Sequence, residues 1–99
     1  MVSDKLTVFV SIKVSDDARQ QVREELLSLI KPTLAEPGCI SFQMHESYND
    51  NPHFIFYEEW ESKEALQGHL GSPHIKKYRN KTKNQILHTD IQVMKKCSG

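Results

Sequence analysis

The sequence has little of several things, and each scarcity closes off a class of protein. Thirteen basic and thirteen acidic residues cancel to a formal charge of zero, so no general attraction to nucleic acid or anionic lipid is built in. No apolar run approaches the roughly 20 residues that span a bilayer. The first five residues, Met1-Val2-Ser3-Asp4-Lys5, lack the basic-then-apolar order of a secretory signal. Only two cysteines occur, Cys39 and Cys97, with no CxxC spacing. They read as free thiols in a reducing cytoplasm rather than as a disulfide. The dinucleotide, P-loop, HExxH and GxSxG signatures are all missing. The histidines (His45, His53, His69, His74 and His88) lack the spacings of a metal cage. His69 and His74 stand five residues apart across a helix break, which argues against joint ligation, so no metal is expected. These absences leave a small cytoplasmic domain with no membrane or nucleic-acid partner.

What is present is ordinary globular material, 37% hydrophobic and 26% charged over 99 residues. That is one domain, with its core at about residues 6–94. A chain this short buries a thin core, and pairing with a second copy is a natural remedy.

The hydrophobic pattern gives the order of elements. Leu6, Val8, Val10, Ile12 and Val14 alternate with Thr7, Phe9, Ser11 and Lys13, the period of a strand with one strongly apolar face. Ser15-Asp16-Asp17 opens a helix whose inner stripe is Ala18, Val22, Leu26, Leu29, Ile30 and Thr33. Pro32 should kink or end it near Ile30 or Lys31, and Glu36-Pro37-Gly38 makes a turn. Residues 40–47 read as a second strand, with Ile40, Phe42 and Met44 on one side and Ser41, Gln43 and His45 on the other. Residues 54–60 read as a third, with Phe54, Phe56, Glu58 and Trp60 opposite Ile55, Tyr57 and Glu59. Ser62 caps a short helix ending at Gly71, and Ser72-Pro73 starts another, with Ile75, Tyr78, Thr82 and Ile86 as its stripe. Residues 91–95 read as a last strand. The order β-α-β-β-α-β predicts an α+β, ferredoxin-like antiparallel sheet with helices on one face. The third strand is apolar on both sides near its start, so the helix-free face calls for cover by a second subunit.

Several side chains are candidates for chemistry. His69 shares the inner stripe with Leu66 and Leu70. It reads either as a core histidine with one nitrogen satisfied or as a neutral imidazole in an apolar cleft, able to move a proton. Trp60 reads as a packing residue or as the wall of a pocket for a flat ligand. Tyr57, Tyr78 and Glu59 read as structural residues or as a phenol donor or proton acceptor. His45 falls on the more polar strand face, a surface or interface position. The basic run from Lys76 to Lys83 reads as a solvated face.

Three segments then carry a resemblance. Glu36-Pro37-Gly38-Cys39, Phe54-Ile55-Phe56-Tyr57-Glu58-Glu59-Trp60 and His69-Leu70-Gly71-Ser72-Pro73-His74 resemble, in that order and spacing, the antibiotic biosynthesis monooxygenase family. The resemblance implies a homodimer, a dimeric α+β barrel in which two sheets pack their open faces together. It also implies oxidation of a quinol or other hydroxylated aromatic by dioxygen without metal, flavin or other cofactor. Carried onto this chain, Trp60 and Tyr57 would line the ring pocket with Glu59 and Leu66 near the substrate. His69 would handle the proton, and Tyr78 or His45 would assist.

Two sister activities resemble the same pattern. Haem-degrading relatives use an asparagine, a tryptophan and a histidine. Here His69 falls at the tryptophan's position and Arg79 at the histidine's, and the first strand has no asparagine, a departure that argues against haem. An isomerase branch acting on a small phosphorylated metabolite shares the HxxxPH segment. A non-catalytic dimeric module for small-molecule binding or stress response is the third reading.

Overall fold

A computed structural model describes residues 5–99. Residues 1–4, part of the stretch read above for the lack of a secretory signal, lie outside the described residues. Four strands form one antiparallel sheet: β1 (Leu6–Val14), β2 (Cys39–Glu46), β3 (His53–Trp60) and β4 (Ile86–Met94), in the spatial order β2-β3-β1-β4. Between β1 and β2 lie a single 3-10 turn (Asp16–Ala18), α1 (Arg19–Leu27) and α2 (Ile30–Leu34). Between β3 and β4 lie α3 (Lys63–Leu70) and α4 (Pro73–Thr82). This is the ferredoxin-like α+β architecture that the hydrophobic periods predict. Among the described residues no helix is long and apolar enough to cross a membrane.

The core sits between the helices and one sheet face. Ile12, Val14, Phe54 and Phe56 meet Val22, Leu26, Leu29 and Ile75 there, and the rings of Phe42 and Phe56 lie 4.7 Å apart. A second, smaller cluster joins Val8, Trp60 and Leu66 beneath α3. On the helix-free face Phe9 and Ile55 stay about two-fifths exposed, and Phe9 packs edge-on against Tyr57.

Four local expectations are corrected. The first long helix breaks at Ser28, earlier than Ile30 or Lys31, and resumes as α2 with Pro32 inside it. A proline ring clashes with the carbonyl four residues back, here that of Ser28, while the missing N–H is harmless in a helix's first turn. Ile40 does not share a face with Phe42, because a bulge between Cys39 and Ser41 turns it out to solvent. Ser72 holds the N-cap position of α4 with Pro73 next, as the sequence suggests, but without a side-chain cap bond; its hydroxyl donates instead to the His69 carbonyl at 2.7 Å and ties the end of α3 to the start of α4. Finally, β4 starts at Ile86 rather than at residue 91, and Ile86 pairs with Val14 instead of extending the α4 stripe. Most of β4 is exposed and the run His88-Thr89-Asp90 within it is polar, so the sequence carries no continuous apolar alternation there. Its pairing along β1 decides the assignment.

Candidate functional site

The site begins at the turn between α2 and β2. Gly38 adopts φ +84°, and a Cβ at this position would sit 2.5 Å from the Ala65 Cβ of α3. Only glycine meets both demands. The turn therefore lies directly against α3 and delivers Glu36 to the His69 ring.

Glu36 is the hub of a polar cluster. Its Oε2 accepts from His69 Nδ1 at 2.7 Å and from His74 Nε2 at 2.9 Å. Thr33 Oγ1 and Ser72 Oγ lie 3.2 and 3.3 Å from the same His74 nitrogen. The helix break brings the two histidines together on Glu36, because Ser72-Pro73 starts α4 directly after the end of α3. The donor atoms of Glu36, His69 and His74 all lie within 4.8 Å of one another. The expectation that the helix break argues against their meeting is thereby corrected.

His69 is buried, with its ring stacked on Trp60 at 4.6 Å and edge-on to Phe42 at 5.6 Å. Burial holds its pKa below the ordinary histidine value, opposed by the hydrogen bond that its Nδ1–H donates to Glu36. With Nδ1 committed to Glu36, Nε2 is the ring nitrogen left for a ligand.

A cavity of about 350 Å³ opens between the sheet and α3 and α4. Its walls are largely apolar, including Val10, Ile12, Phe56 and Ile75, and His69, Tyr78 and Leu66 also line it. The sequence reading missed one further wall residue, Glu58. This carboxyl is 3% exposed and accepts from the indole N–H of Trp60 at 2.9 Å. Burial pushes its pKa up to about 7 against the opposing Trp60 bond, and the nearby Glu36 charge adds to the rise. The signal was available in the sequence: alternation put Glu58 on the same face as Phe54, Phe56 and Trp60, and a carboxylate on an apolar face is a functional candidate. Arg79 and Lys83 stand at the cavity's exposed edge, so the basic run is not wholly a solvated face. Tyr78 is partly buried, and burial raises its phenol pKa.

The other candidates lie elsewhere. Trp60 is fully buried behind His69 and backs the cavity instead of forming its wall. Tyr57 and Glu59 sit on the helix-free face, bonded to each other at 2.8 Å. His45 pairs with Ile55 on that same face. None of the three lines the cavity that holds His69, because the period-two alternation that turns Glu58 inward turns its neighbours outward.

The chain is thus an α+β domain, a ferredoxin-like sheet with a cavity between its layers walled by apolar side chains and by the buried Glu58 and His69. Residues 5–81 match the family model described as "Antibiotic biosynthesis monooxygenase", and the chain belongs to that family. It is similar to Rv0793 of Mycobacterium tuberculosis, named as an inferred monooxygenase, at 43% identity over 63 residues, 64% of this chain and 61% of that protein. The solved structure of Rv0793 superimposes with a TM-score of 0.88 at 30% identity, covering 96% of this chain and 97% of the other. It is also similar to YgiN of Escherichia coli, named as an inferred quinol monooxygenase, at 27% identity over 103 residues, 90% of this chain and 95% of that one. A Synechocystis relative is 30% identical over 93 residues, 93% of this chain. The chain spans 63% of the length of that relative and 61% of Rv0793.

Proposed function

We propose that this chain is a cofactor-independent monooxygenase that oxidises a quinol or other hydroxylated aromatic with dioxygen, working as a homodimer. The observation that carries this reading is the mostly apolar cavity with Glu58 and His69 on its wall. Its volume, about 350 Å³, suits a ring system of small-ligand size. The apolar wall favours an aromatic over a phosphorylated metabolite.

His69, oriented by Glu36, accepts the proton of a ring hydroxyl at Nε2. The resulting anion is electron-rich enough to reduce dioxygen, and a ring carbon joins one oxygen atom to give a peroxide anion. The Glu58 carboxyl, protonated in part near pH 7, supplies a proton to the outer oxygen. Loss of the ring-carbon proton and departure of water leave one oxygen on the ring. A hydroquinone and dioxygen thus become a hydroxyquinone and water, with all four electrons drawn from the substrate. The exposed Phe9 and Ile55 on the helix-free face support pairing with a second copy, which would remove that apolar surface from water.

Oxygen uptake on a panel of naphthohydroquinones and anthrones under isotopically heavy dioxygen tests the reading. One heavy oxygen per product supports it, with His69→Ala lowering turnover by about 10²–10⁴-fold. No uptake above the buffer rate, or recovery of all the oxygen as hydrogen peroxide, overturns it. Uptake that is unchanged in His69→Ala removes the role given to that ring. Light scattering checks the dimer, since a mass at the 11.5 kDa of a single chain contradicts it.

A further inference from the structure

We infer that Glu36, His69 and His74 form a binding site for a divalent transition metal, of the two-histidine, one-carboxylate kind. The three donors come from three parts of the fold: the turn after α2, the last turn of α3 and the first turn of α4. A zinc-like ion held at about 2.0–2.2 Å from each donor in tetrahedral geometry sets the donors about 3.4 Å apart. The two Glu36–histidine separations stand at 2.7 and 2.9 Å, with all three atoms inside 4.8 Å, so side-chain shifts of about 1 Å bring the three donors to that spacing. Two nitrogens and one oxygen suit zinc, cobalt or iron(II) and leave positions open for water.

The arms are held before any ion arrives. His69 is clamped between Trp60 and Phe42. Ser72 and Thr33 place hydroxyls beside His74 Nε2, and the Gly38 turn fixes Glu36 against α3. The Glu36 and His74 side chains are 14% and 22% exposed and the His69 side chain 4% exposed, so an ion reaches the cluster past Glu36 and His74. An ion entering there replaces the two ring hydrogens now pointing at Glu36, and the ring protons move to His69 Nε2 and His74 Nδ1. His69 Nε2 then becomes a donor. Metal occupancy and proton acceptance at that atom exclude each other.

The test uses the full, untagged chain and the metal alone. Titration calorimetry with Zn²⁺ should show one ion bound per chain, with Glu36→Gln and His74→Ala each weakening it about tenfold or more. His45→Ala and His88→Ala, outside the cluster, should bind as the parent does. His69→Ala removes a buried ring and risks unfolding, so His69 is read in the unsubstituted protein. There Zn²⁺ should shift the imidazole nitrogen resonances of His69 and His74 and no others. The inference is overturned by an absence of saturable binding up to millimolar Zn²⁺, by binding that survives His74→Ala and Glu36→Gln, or by shifts confined to His45, His53 and His88. None of these readouts involves turnover, so their failure leaves the oxygenase reading standing.

Discussion

Trp60 and Glu58, two residues apart on β3, both point into the helix-covered layer, and the indole N–H of one donates to the carboxyl of the other at 2.9 Å. That bond is the one force drawing the Glu58 pKa down, against burial and the Glu36 charge pushing it up. The balance leaves a carboxyl poised near neutrality on the cavity wall.

Glu58 should make the fold less stable as pH rises. Its folded pKa is raised from the ordinary 4.5 to about 7, so the folded chain holds this proton more tightly than the unfolded chain does. Stability therefore falls between pH 4.5 and 7, and the full penalty of roughly 3 kcal/mol applies above that window. Urea denaturation across pH 4.5–8 of the parent and Glu58→Gln measures it. The parent should lose stability relative to the variant as pH rises, and parallel profiles would contradict the assignment.

Trp60→Phe keeps most of the buried ring but removes the N–H donor. The Glu58 carboxylate then loses its one hydrogen-bond donor among the described residues, so its pKa should climb above about 7. Carboxyl-carbon NMR of Glu58 follows that titration directly. Unfolding at pH 8 should cost the variant about 1–3 kcal/mol, and less at pH 5, where Glu58 is neutral in both proteins.

Gly38→Ala combines an unfavourable φ with a collision against Ala65. A loss of about 2 kcal/mol or more is expected, whereas Gly68→Ala inside α3, where an added Cβ meets nothing, should leave the fold unchanged or stabilise it by up to about 1 kcal/mol. Thermal unfolding of the two variants side by side decides this.

The two thiols should differ sharply in reactivity. Burial raises the Cys39 thiol to about 11, with the charges of Glu36 and Glu58 adding to it, whereas Cys97 is exposed. An aromatic disulfide reagent at pH 8 should consume one thiol per native chain quickly and the second only after denaturation. Two fast thiols would show that the turn at Cys39 opens freely.

Much of the fold was legible from residue periods alone. The strand over Leu6–Val14 and the Ser62 cap, which accepts from Ala65 N at 3.1 Å, follow from local pattern. The start of β4 did not, since exposed edge residues carry no apolar alternation. Of the candidate site, His69, Leu66 and Tyr78 were read correctly onto the inner face. Trp60 was displaced by one layer, and Tyr57, Glu59 and His45 lie across the sheet.

The sequence by itself determined the order of the main elements and the face that most strand side chains of β1 and β3 take, because both follow from the backbone's own repeat. It also placed Glu58 among inward-facing apolar residues. Only the tertiary structure decided that Glu36 reaches His69 and His74, 33 and 38 positions away. No local period encodes that meeting. It depends on Gly38 turning tightly against α3 and on Ser72-Pro73 starting α4 directly after α3, and these close approaches exist only once the helices have packed on the sheet.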